Sequence, residues 1–222
     1  MFGLLTSVAT TSLLLSSRVA PRAPFAARRS SLPLHLRMMC APAEAPAAAE
    51  EAPPPEIPPF GKLDIRVGKI VEAWPHPDSD KLWCEKIDVG EPEPRQIASG
   101  LRAYYPEVSD MEGRSVIVVC NLKEAKLAGF ASNGMVLCAS SENRSTVAFV
   151  EPPADAVPGE RVVCEGKMTD PASPNQMKKK KLMEAAAADL KAVENVATYQ
   201  GVPLSTKDGV CTSPTVASGT IN

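Results

Sequence analysis

The chain has 222 residues, a formal net charge of −2 at pH 7, 44% apolar residues and 23% charged residues. This length allows one large domain or two small ones, and the composition is that of an ordinary globular protein. Because the net charge is slightly negative, the chain as a whole does not attract nucleic acid, and any such site must come from a local basic patch.

The six cysteines lie far apart, which excludes a CxxC zinc motif. They are Cys40, Cys84, Cys120, Cys138, Cys164 and Cys211. All but the first and last lie within apolar runs, which predicts buried free thiols and a reducing compartment.

Residues 1–43 contain arginine, serine and threonine but no lysine and no acid. This composition is typical of a transit peptide, which we place at residues 1–40, with a plastid as the predicted destination and a mitochondrion as the alternative. Two further alternatives are an apolar signal segment at residues 3–15 that precedes a transit segment, and a disordered tail without targeting function. The apolar run Leu13–Leu15 is too short to span a membrane, so no membrane association is predicted.

Residues 41–59 are rich in alanine, proline and glutamate and cannot bury a core, which predicts an extended linker. The folded region is therefore expected to begin at residue 60. From Leu63 the apolar residues alternate, as in a β-strand, until the phase breaks at Gly68. A glycine at a phase break predicts a β-bulge that lets a long strand curl around a barrel.

Further short strands are predicted along the chain, separated by turn clusters such as Trp74–Asp80. They are Lys81–Gly90, Gln96–Gly100, 115–120, 135–140, Thr146–Val150 and Arg161–Glu165. Only residues 101–114 have room for a helical crossing. This layout predicts a mainly β fold, a five-stranded antiparallel OB-fold barrel over residues 60–165, although other small barrels share the strand count.

Residues 166–222 are predicted to form a small α+β subdomain packed on the barrel. Ser173–Val193 is predicted to be one helix, with a capping box from Ser173 to Gln176 and proline at its first position. Its apolar stripe would consist of Leu182, Ala186, Leu190 and Val193. Turns are expected at Gly201 and Gly209.

The segment Asn121–Met135 joins two apolar strands and is predicted to be a long loop with two lysines, Lys123 and Lys126. Cations and backbone N–H groups suit phosphates, and an apolar residue such as Met135 suits an unstacked base. The loop is therefore a candidate RNA-binding surface, and a solvated basic loop is the alternative. The run Lys178–Lys181 near a helix start is likewise either a solvated end or a site for an anionic partner.

No catalytic constellation is evident in the sequence, so the protein is predicted not to be an enzyme and to need no cofactor. His76, Asp78 and Asp80 alternate in a way that could suggest metal ligands. Pro75 and Pro77 favour a turn in which both aspartates cap backbone groups, and no metal site is predicted.

Five segments, in order and spacing, resemble the tRNA-binding domain found in aminoacyl-tRNA synthetase cofactors and synthetase extensions. They are LDIRVGKI, HPDSDKLW, ASGL, NLKEAKLAGFASNGMVLCAS and PGERV, within residues 60–165. The tail VATYQGVPLSTKDGVC further resembles the endothelial monocyte-activating polypeptide II branch of that family.

The resemblance implies an OB-fold that binds tRNA by shape and phosphate backbone, without catalysis, as an accessory factor to a synthetase. It also implies a monomer whose C-terminal subdomain imitates a dimer partner.

The tRNA-binding residues that the resemblance implies are Asn121, Lys123, Lys126, Ser132, Met135, Arg66, Lys69 and Lys81. Glu124 stands where the family usually has proline. The alternative function is a protein-interaction or cytokine-like module, carried by the segment Arg66–Glu72.

Overall fold

The computed structural model describes residues 58–222, so the predicted transit peptide and nearly all of the predicted linker lie outside the described residues. Fifteen strands and two α-helices follow in this part of the chain. The strands are β1 Ile65–Pro75, β2 Trp83–Asp88, β3 Arg95–Ser99, β4 Ser115–Val119, β5 Ala125–Leu127, β6 Phe130–Ser132, β7 Met135–Val136, β8 Cys138–Ser140, β9 Val147–Phe149, β10 Val163–Cys164, β11 Leu190–Val193, β12 Val196–Tyr199, β13 Val202–Thr206, β14 Gly209–Val210 and β15 Ser218–Ile221. The helices are α1 Pro174–Lys179 and α2 Leu182–Ala187, and Pro59–Lys62 and Val108–Asp110 form short 3-10 turns.

The long strand β1 organises the barrel because it pairs with two neighbours along its length. Its first half is antiparallel to β4 and its second half to β2, in a five-stranded sheet of order β3-β2-β1-β4-β7. The sheet curls into a nearly closed antiparallel barrel, which confirms the predicted fold class.

The bulge that curls β1 lies at Val71, where the register with β2 shifts between Ile70 and Glu72. The prediction of a bulge at Gly68 is therefore wrong. A Cβ atom at Gly68 would lie 2.7 Å from a methyl group of Ile87, so glycine is needed there because the folded sheet closes over it.

The C-terminal strands extend the barrel by backbone pairing. A second sheet has the order β10-β13-β12-β11-β15-β8-β9, in which β15 pairs with β8 and β13 with β10. Phe60 and Tyr199 stack at 4.9 Å between ring centroids within one shared hydrophobic core. The helices and strands after residue 165 agree with the predicted α+β character, and the boundary at that residue stays a prediction.

The segment after residue 173 differs from the single predicted helix. Ser173 caps α1 as predicted, its hydroxyl accepting the Gln176 N–H. The chain then breaks at Lys181, whose φ of 48° is left-handed, and α2 ends before the strand β11. The predicted stripe is therefore wrong, because it crosses from helix into strand, and Val193 is 47% exposed. Local pattern could not show the break, because lysine has no preference for a left-handed conformation.

Five cysteines in the described part of the chain are free and buried, as predicted for four of them. Burial raises the pKa of Cys120 to about 11 and that of Cys138 to about 12. These thiols are consequently protonated and unreactive at neutral pH.

Glu85 in β2 is a fully buried acid. One of its carboxylate oxygens accepts the Ser99 hydroxyl, and Oε2 has no hydrogen-bond partner among residues 58–222. Burial raises its pKa to about 7 from an ordinary value of 4.5, with the Ser99 hydrogen bond opposing the shift.

The raised pKa of Glu85 predicts a pH-dependent stability. Between pH 4.5 and 7 the unfolded chain has lost this proton while the folded chain keeps it, so the free energy of unfolding falls as pH rises. The loss reaches about 3 kcal/mol at pH 7 and grows no further above it. Urea denaturation of the wild type and Glu85→Gln across this window measures the effect as a difference between the two curves.

The exposed Glu93→Gln variant is the control, and its curve should run parallel to that of the wild type. A Glu85→Gln curve that also ran parallel would show that the carboxyl titrates normally in the fold.

Candidate nucleic-acid interface

The segment predicted to be a long loop between residues 121 and 135 contains a β-hairpin. Strands β5 and β6 pair antiparallel, and the turn between them consists of Ala128 and Gly129, with φ angles of 48° and 91°. Two central residues with positive φ form the turn type that suits a tight hairpin. The turn could not be predicted from the sequence, because alanine stands where asparagine or aspartate normally occurs.

Asn121 holds the base of the hairpin. Its amide group donates to the carbonyl oxygens of Lys62 and Ala172, both at 2.9 Å, and its Oδ1 accepts the Asp64 N–H at 3.0 Å. The side chain is 8% exposed, and both of its N–H donors are used within the protein. Asn121 therefore joins three chain segments beneath the candidate surface.

Ser132 anchors the other side of the hairpin to β3. Its buried hydroxyl accepts the Ala98 N–H and donates to the Gly134 carbonyl, each at 3.1 Å. Met135 follows at the start of β7, half-buried and paired with Val119. Ser132 thus positions the hairpin, while Met135 lies at its base with its side chain partly accessible.

Lys123 and Lys126 are exposed, and neither has an ion pair or side-chain hydrogen bond among the described residues. Both line a groove of about 630 Å³ between the hairpin and the two helices. Lys178 of α1 lines the same groove from the opposite side, with Met135 also in its lining. The structure therefore brings the basic hairpin and one residue of the lysine run together.

The remaining predicted cations lie elsewhere. Arg66 is held by Asp64 at 2.7 Å and lies 3.6 Å from Glu91, and the hydrogen bonding that its guanidinium donates to Asp64 is the main reason that its pKa is raised. Lys69 lies three residues after Arg66 in β1, where it is exposed and pairs with Asp88 of β2 and Ser115 of β4. Lys81 is exposed in the turn between β1 and β2.

An aromatic cluster beside the hairpin was missed by the sequence reasoning. Phe130 of β6 meets Trp74 of β1 edge to face at 6.0 Å and His76 at 6.2 Å between ring centroids. Lys86 lies 5.6 Å from the centre of the Trp74 ring. Trp74 and Phe130 are half-buried, and only the fold brings them together from distant positions in the sequence.

The HPDSD turn is stabilised by other atoms than predicted. His76, which is 4% exposed, accepts the Asp78 N–H at Nδ1, and the Ser79 hydroxyl accepts the Lys81 N–H. The carboxylates of the two aspartates therefore do not cap this turn.

Within residues 58–222 no group of three or more potential ligand side chains could hold a metal ion. No helix in the same range is long and apolar enough to cross a bilayer.

A five-stranded OB-type barrel that presents a basic hairpin beside half-buried aromatic rings defines a class of nucleic-acid-binding modules. A family model described as "Putative tRNA binding domain" matches residues 65–161. The crystal structure of the C-terminal domain of Plasmodium vivax p43 superimposes with a TM-score of 0.66 at 36% identity, covering 73% of this chain and 98% of that domain. The chain belongs to this tRNA-binding domain family.

Longer proteins contain a similar segment. The cytoplasmic methionine–tRNA ligase of Arabidopsis thaliana is 47% identical over 166 residues, which are 73% of this chain and 20% of the ligase. The aminoacyl tRNA synthase complex-interacting multifunctional protein 1 of Mus musculus is 42% identical over 162 residues, or 72% of this chain and 51% of that protein. The chain thus spans between a fifth and about half of these relatives.

Proposed function

We propose that this protein binds tRNA through the β5–β6 hairpin and acts without catalysis as an accessory factor to an aminoacyl-tRNA synthetase. The observation that carries the proposal is the pair Lys123 and Lys126, exposed and without an acidic partner in the described chain, on a barrel of the tRNA-binding domain family. The names of the relatives, a methionine–tRNA ligase and a synthase complex-interacting protein, support a partnership with a synthetase.

The distribution of charge explains how a chain of net charge −2 binds an anion. Arg66 and Arg95 are both engaged by Glu91, and Arg95 is bound to it at 2.7 Å. These arginines stabilise the barrel, and the hairpin lysines remain available for phosphates. A few backbone contacts on a rigid frame recognise the shape of an RNA without reading its sequence.

The proposal predicts that affinity for bulk tRNA falls steeply with salt. Each phosphate that a lysine neutralises releases counterions, so the log–log slope steepens by about 0.9 per contact or slightly less. Fluorescence anisotropy of labelled tRNA titrated with the protein between 50 and 200 mM salt (roughly the range over which such slopes are read) provides the measurement. A flat salt response or an absence of binding would reject tRNA and favour a protein-interaction module.

We also propose that the protein is a monomer in which the C-terminal segment occupies the place of a dimer partner. The barrel strand β8 already pairs with β15 on one side and β9 on the other, which leaves it no free edge for a second copy, and β13 of the same chain occupies one edge of β10. Sedimentation equilibrium is expected to give the mass of one chain, and a dimer mass at micromolar concentration would contradict the proposal.

The composition of residues 1–43 supports a further proposal, import into a plastid. A fusion of residues 1–60 to a fluorescent protein is expected to accumulate in plastids. Accumulation in mitochondria would favour the alternative destination, and diffuse fluorescence would contradict an import signal.

A further inference from the structure

We propose that the groove between the β5–β6 hairpin and the helices α1 and α2 binds a single-stranded segment of RNA. We call it the Met–Lys groove and define it by Lys123, Lys126, Met135, Met177, Lys178 and Met183, which all line it. The inference rests on the proposed tRNA binding and adds which part of the RNA is bound and which part of the protein binds it.

The walls of the Met–Lys groove supply cations from two distant parts of the sequence. Lys123 and Lys126 come from the hairpin side, and Lys178 comes from α1. All three are exposed, and no ion pair or side-chain hydrogen bond engages them within residues 58–222. Lysines that face each other across a groove without acidic partners suit a phosphate chain lying between them.

The floor of the Met–Lys groove is apolar and polarizable. Met177 is 2% exposed and forms part of the core, while Met135 and Met183 are half-buried with part of each side chain open to the groove. Thioether side chains adapt their shape and make favourable contacts with flat aromatic rings. Such a floor suits the face of a nucleobase, which a site for phosphate alone would not need.

The floor also distinguishes single-stranded from double-stranded RNA. In a duplex the base faces are stacked on one another, so only phosphates, riboses and base edges reach the protein. An unpaired segment can turn a base toward the methionines while its phosphates stay near the lysines. The volume of about 630 Å³ lies within the range of about 300–1,000 Å³ for sites that enclose a ligand with several rings.

Two acids also line the groove, Glu124 from the hairpin and Glu184 from α2. Both are exposed, and they repel phosphates. An RNA backbone is therefore expected to follow the lysines and to avoid the two glutamates.

The break between the two helices makes this arrangement possible. Lys181 adopts a left-handed conformation, with φ of 48° and ψ of 43°, between α1 and α2. The chain turns there, and as a result Lys178 of α1 and Met183 of α2 line one groove, while Lys180 lines a different pocket with Lys62 and Asp170. Lys180 is therefore a matched control, being a lysine of the same run that lies outside the groove.

The test uses the full chain and a labelled eight-nucleotide single-stranded RNA, with the same strand annealed to its complement as the comparison. The single strand is expected to bind and to compete with tRNA, and the duplex to compete at least tenfold less well. Lys178→Ala should weaken single-strand binding roughly tenfold and reduce the salt slope by about 0.7, since one phosphate contact is lost. Lys180→Ala should change neither quantity.

Met183→Ala tests the contribution of the apolar floor of the groove separately from that of the lysines in its walls. It should weaken single-strand binding while leaving the salt slope unchanged, because no charge is removed, and a thermal melt checks that the variant is folded. Equal effects of Lys178→Ala and Lys180→Ala, or a duplex that competes as well as the single strand, would overturn the inference. If tRNA binds and the single strand does not, only this inference fails, whereas absence of tRNA binding rejects the proposed function itself.

Discussion

The double variant Lys123→Ala, Lys126→Ala is expected to bind tRNA roughly 10- to 100-fold more weakly than the wild type. Each lysine contributes a charge-assisted contact to a phosphate, and a contact worth about 1.4 kcal/mol corresponds to a factor of ten in affinity. The salt slope should fall by about 1.4, since both residues line the Met–Lys groove and each phosphate contact to an unpaired strand contributes about 0.7. Anisotropy titrations at two salt concentrations measure both quantities.

This variant should fold normally, because both side chains are exposed and neither supports another residue in the described chain. The control is the double variant Lys191→Ala, Lys207→Ala, which removes the same number of positive charges. Lys191 lies in β11, and Lys207 forms an ion pair with Glu160. If both double variants weakened binding equally, the effect would be one of net charge, and the hairpin would not be the binding surface.

Replacing Asn121 with alanine is expected to lower the free energy of unfolding by at least about 3 kcal/mol, because three backbone groups lose their hydrogen-bond partner and each costs about 1–3 kcal/mol. The Asp64 N–H and the carbonyls of Lys62 and Ala172 would all lose their partner. A loss of this size is a large part of the stability of an ordinary domain. Urea denaturation followed by tryptophan fluorescence gives the value.

The Asn121 variant also tests the role that the family resemblance implies for this residue. At urea concentrations below the start of unfolding, the variant is expected to bind tRNA as tightly as the wild type, since its amide donors face the protein. Ser132→Ala, which leaves the Ala98 N–H and the Gly134 carbonyl without this partner, should cost about 2 kcal/mol and serves as the milder comparison. A stable Asn121→Ala protein with weakened tRNA binding would place this side chain in the RNA contact after all.

The barrel could be predicted from the sequence because its signals are local. In strands β1 to β4, apolar residues either alternate with polar ones or form continuous runs between turn residues. The two-residue period of an alternating strand is visible within a few residues. The Ser173 capping box was predicted for the same reason, since its partner Gln176 lies three residues away. The hairpin was missed because its turn uses alanine, and the break at Lys181 because no residue preference marks it.

The candidate site could be predicted only in part, because residue type alone does not decide which way a side chain faces. Lys123 and Lys126 are exposed cations, as expected for the RNA surface. Asn121 and Ser132 belong to the same segment, yet their polar atoms are turned inward and engaged by backbone groups. Register and packing make that choice, and neither can be read from one strand by itself.

The sequence by itself determined the mainly β class, the barrel strands, the helix cap at Ser173 and the membership in a tRNA-binding family, since each depends on short-range pattern or motif. The tertiary structure alone decided that Lys178 faces the hairpin lysines across a methionine floor and that Trp74 meets Phe130. It did so because these contacts join residues more than 50 positions apart. Trp74 and Phe130 come together when the barrel closes, and Lys178 reaches the hairpin only when the C-terminal segment packs against the barrel.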